Sequence, residues 1–295
     1  MYIDPFKVFC DLVETSSFSK AAVLNKVSQS AVSQQIRTLE NRLGCALMER
    51  GRRNVTLTPE GEVFHRTCKE ILHAWNCLEN QLRGLKNEVA GQLKVASIYS
   101  IGLHELPPRL KSFREKFPQV DVKVEYRRSP QVYEMVERGE ADLGLVAFPA
   151  KRPNLIHEIF DEDQLVLICH PKHALAATKR VPLSALKNER FIAFEPDTPT
   201  RKMIDRHLRN GRVSVVHSAE FDNIETVKRA VEIESGISIV PANTVRQEVE
   251  SGLLSVVEID APKMSRPLGF IVSKKRTCPV GLKQLMCVMK AGDPN

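Results

Sequence analysis

Apolar positions along the first 60 residues recur at helical spacing in three short runs. Asp4 and Pro5 supply an N-cap and a first helical position, after which Phe6, Phe9 and Val13 share a face. A second short helix is predicted from about Ser17–Ser19 through KAAVL, with Ala21 and Ala22 small enough for close packing by another helix. Asn25 and Lys26 make a turn. Ser28 then caps a third helix that runs through Leu43 to Gly44. On a helical wheel Val32, Ile36, Leu39 and Leu43 form its buried face, and Ser30, Ser33, Gln34 and Arg37 fall opposite, with Gln29 at its start. LMERGRRNVTL reads as two short strands around a turn that carries Arg52 and Arg53 at its tip.

From Thr58 and Pro59, another cap and first-turn pair, the periodicity tightens. Phe64, Cys68, Ile71, Trp75, Leu78, Leu82, Leu85 and Val89 alternate steps of four and three. An amphipathic helix lying on its own core would satisfy part of this pattern. The strict heptad spacing over a helix of roughly 45 Å favours pairing with a second helix.

Beyond Gly91 the pattern switches to short β-rich runs (QLKVASIY, VDVKVEY, ADLGLVAF, QLVLIC, RFIAF, SVVH, GISIVP, LLSVVEI, LGFIVS) separated by helical segments such as PPRLKSFREKF, TRKMIDRHLR, NIETVKRAVE and ANTVRQEVE. This alternation predicts a mostly parallel sheet covered by helices and divided into two lobes.

Two short helices joined by a tight turn, followed by a wing, make a helix-turn-helix pattern. Charge sharpens it. The chain of 295 residues has a net charge of +7, and residues 1–58 hold eight basic against five acidic side chains. More telling, no Asp or Glu occurs between Glu14 and Glu40, so the third helix can approach phosphates without repulsion. Hydroxyls and amides at Ser28, Gln29, Ser30, Ser33 and Gln34 match donors and acceptors on base edges. A glutamine can address adenine with two bonds, and Arg37 can address guanine or phosphate. A merely polar solvent face would have the same period but not the same lack of carboxylates.

Other chemistry is sparse. The seven cysteines lack CxxC spacing, which argues for free thiols in a reducing cytoplasm over a disulfide framework or a zinc site. His170 and His173 beside Cys169 lack an evident third ligand, so a structural or surface role is expected. No GxSxG, Walker loop, dinucleotide fingerprint or HExxH is present, and neither an enzyme nor a cofactor is expected. The longest apolar runs fall far short of a membrane span, and charges interrupt the N-terminal stretch where a secretory signal would sit.

SFSKAAVLNKVSQSAVSQQIRTLENRLGCALMERGRRNVTLTPEG resembles the winged helix-turn-helix of the LysR-type transcriptional regulators, whose pattern includes SFS.AA, QSAVS.QI..LE..LG and R.....LT..G. The match is dense over residues 1–61, and the order of the later segments extends it along the chain. Met48 stands where the family usually has Phe.

The resemblance implies a winged helix-turn-helix over 1–58, a dimerisation helix over 59–90, and over 91–295 a two-lobed α/β domain with the fold of periplasmic solute-binding proteins. Lobe I is expected at about 92–161 and 267–290, and lobe II at about 162–266. It also implies a homotetramer built as a dimer of dimers on an interrupted palindrome of double-stranded DNA, and a small-molecule effector bound between the lobes.

Effector contacts are then expected at Ser97, Tyr99 and Ser100, at Arg128 and Ser129, at Ala147 and Phe148, and at Thr198, Thr200 and Arg201 in EPDTPTRK. Hydroxyl and cation donors at helix starts point to an anion, although Thr198 taken alone is better read as a helix cap. A solute receptor or enzyme on the same fold would call for a signal peptide or convergent catalytic residues. An architectural DNA-binding protein would have no use for the second domain.

Overall fold

The computed structural model describes residues 4–49, 55–84, 89–276 and 278–291. It separates into two compact units, residues 1–85 and 86–295.

In the first unit α1 (Asp4–Thr15), α2 (Phe18–Asn25) and α3 (Gln29–Leu43) enclose a core of Val8, Phe9, Leu12, Ala21, Ala22, Val32, Ile36 and Leu47. Ser17 caps α2 by accepting from the Lys20 amide. Lys26 closes the helix in the left-handed region at φ 54°, giving the tight turn into α3. Asn25 ties the turn down by donating to the Asp11 carboxylate at 2.7 Å.

After α3, Glu40 accepts from the amides of Leu47 and Met48, and Met48 pairs with Leu57 in an antiparallel bridge. This is the base of the predicted wing; its tip, with Arg52 and Arg53, lies outside the described residues. Met48 packs against the head core. Helix α4 (Pro59–Gly84) begins on the Thr58 cap, whose hydroxyl accepts from the Gly61 amide at 3.0 Å. A Cβ at Gly61 would lie 2.0 Å from the Leu47 carbonyl oxygen, so only glycine lets the helix start so close to the wing.

The second unit holds β1 (Gly91–Ser97), α5 (Leu106–Lys116), β2 (Val120–Tyr126), α6 (Ser129–Arg138), β3 (Leu143–Ala147), β4 (Leu155–Cys169), β5 (Arg180–Pro182), β6 (Arg190–Phe194), α7 (Pro199–Asn210), β7 (Val216–Phe221), α8 (Ile224–Glu232), β8 (Ser238–Pro241), α9 (Arg246–Glu250), β9 (Ser255–Asp260), β10 (Ser265–Ser273) and α10 (Val280–Lys290). A single π-type turn at Ile101–Glu105 leads into α5.

Strand order β2-β1-β3-β10-β4-β9-β5, with β8 also on β4, forms one curled sheet; β6 and β7 pair separately. Beside a smaller cluster of Ala96, Val132, Val136, Val146 and Ile271, two larger apolar cores result. One gathers Leu93, Val95, Phe113, Leu145, Phe270 and Leu285; the other Leu167, Phe191, Ile204, Val227, Ile239 and Val257. This is a two-lobed α/β fold.

The sheet is more mixed than its alternating pattern implies. Pairs β1–β2, β1–β3, β5–β9 and β6–β7 are parallel, and every antiparallel pair involves β4 or β10. These two strands carry the chain between the lobes. β4 starts nine residues ahead of the apolar run QLVLIC, and its 15 residues are long enough, at about 3.3 Å each, to serve both cores. A bulge between Leu268 and Gly269 bends the crossing.

Candidate functional site

In the first unit, the face of α3 opposite Val32 and Ile36 is open. Ser28, Gln29, Ser30, Gln34 and Arg37 are exposed and Ser33 half-buried. The Ser28 hydroxyl accepts from the Ala31 amide at 3.1 Å, and Gln29 Oε1 accepts from Ser19 of α2 at 3.2 Å. The helix therefore presents amides and hydroxyls from its N-terminal, positively polarised end onward, and one guanidinium, Arg37, near its middle. Leu43 departs from the wheel: it is 48% exposed, because the αL cap at Gly44 turns the chain away before the last turn reaches the core. Val23, Leu24 and Val27 are exposed around the helix-turn-helix bend, an apolar rim that residue spacing did not single out.

The heptad positions of α4 divide. Phe64 packs edge-on against Phe6 and Phe9 at 5.8 and 5.1 Å, and so belongs to the head core rather than to a pairing seam. Cys68 is buried. Ile71, Leu78 and Leu82 are exposed apolar residues, and Trp75 is half-buried with its indole donating to Glu79. Leu85 lies outside the described residues.

In the second unit a cavity of about 100 Å³ lies where both lobes meet. Its walls are built by helix starts. Ser100 precedes the π-type turn; Arg128 and Ser129 open α6; Thr198, Pro199 and Thr200 open α7; Asn223 and Ile224 open α8. Four helix or turn starts therefore meet at one small volume, where their partial positive charge favours an anion; Arg127, Arg128 and Arg266 also line it, as do the carboxylates Asp197 and Asp222.

Tyr99 also lines it and stacks on Tyr126 at 5.7 Å between centroids. Thr198 lines it while capping α7: it accepts from the Arg201 amide at 3.3 Å and donates to the Glu195 carbonyl at 2.9 Å.

Three predicted contacts sit elsewhere. Ser97 is fully buried and its hydroxyl donates to the Ile98 carbonyl. Phe148, at φ 51°, packs against both lobe cores and does not line the cavity, although its neighbour Ala147 does. Arg201 turns away into lobe II, donating to Asp205, Glu220 and the Phe194 carbonyl. Burial lowers its tendency to stay charged, yet those two carboxylates more than offset it and hold the guanidinium above its ordinary pKa. It positions the loop; the carboxylates already consume its charge.

The cavity also has a floor that spacing did not reveal. Arg266 on β10 is opposite Asp163 on β4, with side chains 3% and 2% exposed and Nη2 to Oδ2 at 3.2 Å. Arg266 Nη1 donates to the Ser100 hydroxyl at 3.0 Å. Burial pushes the Asp163 carboxyl up to about 6, against the pull of Arg266. Beneath, Glu105 accepts from Arg109 at 2.7 Å and from Asn243 of lobe II at 2.8 Å. Only the fold brings residues 100, 163 and 266 together. The sequence shows only an arginine ahead of the apolar run in β10 and one of several carboxylates in β4.

Away from the cleft, the ring nitrogens of His170 and His173 accept from the Lys172 and Leu175 amides, a capping role. No helix among the described residues is long and apolar enough to cross a membrane.

The family model for the bacterial regulatory helix-turn-helix protein of the lysR family matches residues 3–62, and that for the LysR substrate binding domain matches residues 86–291. The chain belongs to the LysR family. It is 30% identical over 280 residues to a probable RuBisCO transcriptional regulator of Cyanidioschyzon merolae, covering 93% of this chain and 92% of that protein. Its fold is similar to full-length CbnR complexed with its target DNA, with a TM-score of 0.75 and 20% identity over 99% of both chains. The Synechocystis PCC6803 CcmR regulatory domain in complex with 2-PG is similar at a TM-score of 0.62 and 24% identity, over 69% of this chain and 98% of that one. This LysR-family chain is thus a transcriptional regulator with a DNA-binding head and an effector-binding domain.

Proposed function

We propose that this regulator reads an interrupted palindrome through α3 and changes its DNA-bound state when a small anion enters the interlobe cavity. The observation that supports an anion is the meeting of four helix or turn starts at one cavity, whose lining includes the hydroxyl residues Ser100, Ser129 and Thr200. Neutral ligands gain nothing from that field; an oxyanion does.

On α3, Ser28, Gln29, Ser30, Ser33, Gln34 and Arg37 are the proposed base and phosphate contacts, with Arg52 and Arg53 on the wing. Ile71, Trp75, Leu78, Leu82 and Leu85 pair α4 with a second copy, and two such dimers form a tetramer. An anion that binds one lobe arrangement more tightly shifts the population toward it, and DNA affinity changes by the same coupling factor.

Footprinting of the full chain at physiological salt, with and without 2-PG, carboxylates and inorganic oxyanions, tests the proposal. Discrete protected half-sites whose pattern changes with one of these ligands are expected. Uniform protection of unrelated DNA, or response to neutral ligands alone, would refute it.

A further inference from the structure

We propose that Arg266 is the residue that binds the effector's oxyanion group, with Ser100 orienting it and Asp163 serving as the counter-ion that the ligand partly displaces. This inference rests on the anionic reading of the cavity and names the group on which that reading depends.

A guanidinium carries five N–H donors in a fixed plane. Here one Nη1 bond reaches Ser100 and one Nη2 bond reaches Asp163, while Nε is buried with no partner. The side chain is 3% exposed, yet it lines the cavity, so its remaining donors can be satisfied only by something inside the cleft or by water there. Burial pushes the guanidinium below its ordinary pKa, with Asp163 and then Glu105 acting in the opposite sense. A buried cation with unused donors, at the floor of a cavity rimmed by helix N-termini, is a receptor for a planar or tetrahedral oxyanion.

Position adds a consequence. Arg266 and Asp163 are directly opposed on β10 and β4, the two strands that cross between lobes. A ligand oxyanion that engages Arg266 competes with Asp163 for its donors. Binding therefore moves electrostatic load at the crossing itself, whereas a contact on an outer loop would touch one lobe only.

The test is calorimetry on the full chain with inorganic phosphate, sulfate and 2-PG as probes, on four proteins whose folding is checked by circular dichroism and thermal melting. Arg266→Lys retains charge but loses the fork and should weaken binding roughly tenfold or more. Because Arg266→Met alone leaves a buried carboxylate uncompensated and destabilises the fold, the paired change Arg266→Met with Asp163→Leu removes both charges, and binding should vanish. Asp163→Asn removes the competitor, and the same probe should bind several-fold more tightly. A purely structural arginine would not show that gain. If the wild type binds a probe and the lysine and paired variants match it within twofold, Arg266 is not the receptor although the anionic cleft stands. If the wild type binds none of the probes, both readings fall together.

Discussion

The guanidinium of Arg128, at the start of α6 in lobe I, donates to both carboxylate oxygens of Asp197 in lobe II at 3.0 Å, and the same nitrogen also contacts Glu195. The pair closes one side of the cavity. Its groups are 39% and 61% exposed, so its contribution to global stability is at most about 1 kcal/mol. Its effect is local: it holds the loop that presents Thr198 and Thr200.

Arg128→Ala should therefore shift the melting temperature by no more than about 4 °C, while amide exchange over residues 195–200 speeds up. Unchanged exchange in that loop would show that the ion pair does not restrain it.

Asp163 makes the domain's stability depend on pH. Its carboxyl titrates at about 6 when folded and near the ordinary carboxylate value when unfolded. The folded state thus holds the extra proton. Stability from this group is complete below about pH 4 and is lost as pH rises through 6, by about 3 kcal/mol in all. Urea denaturation of wild type and Asp163→Asn at pH 4.5 to 7.5 should show the wild type losing ground to the variant over this window. A difference independent of pH would contradict the assignment.

On α3, Gln34→Ala should cost about 1–3 kcal/mol at its matched base pair and relax specificity there. Arg53→Ala on the wing should instead weaken all sequences alike and lower the salt slope by about 1. Binding titrations on operator and random duplexes at several salt concentrations separate the two. Identical behaviour of both variants would remove the distinction between base reading and phosphate anchoring.

The divided heptad of α4 predicts opposite phenotypes. Leu78→Lys with Leu82→Lys should dissociate the oligomer, seen as a lower mass in light scattering, with the head still folded. Phe64→Ala removes a ring packed on Phe6 and Phe9 and should destabilise the head by about 3 kcal/mol while leaving the α4 seam intact. Loss of mass in the Phe64 variant, with none in the lysine variant, would reverse this assignment.

Local chemistry was enough to determine the head. Capping hydroxyls at Ser17, Ser28 and Thr58, the αL closures at Lys26 and Gly44, and the 3.6-residue spacing of Val32 and Ile36 act within a few residues, so α2, α3 and the start of α4 follow from the sequence alone. The same holds for the alternating strands and helices beyond Gly91, and for the helix-start residues Ser100, Ser129, Thr198 and Thr200, which reach the cavity because each follows the end of a parallel-paired strand, β1, β2 or β6.

What tertiary structure alone decided is which donors are still available. In sequence, Arg201 and Arg128 are both cations expected at the effector cleft, and Arg266 carries no such signal. Yet Asp205 and Glu220 consume Arg201 within lobe II, whereas Arg266 is left under the cleft with one carboxylate and spare N–H groups. Asp163 stands in the acidic run DEDQ just ahead of the apolar run LVLIC, and the crossing strands bury it opposite an arginine 103 positions away. Periodicity encodes which face a residue occupies; whether a buried charge is satisfied depends on partners that only the folded chain brings within bonding distance.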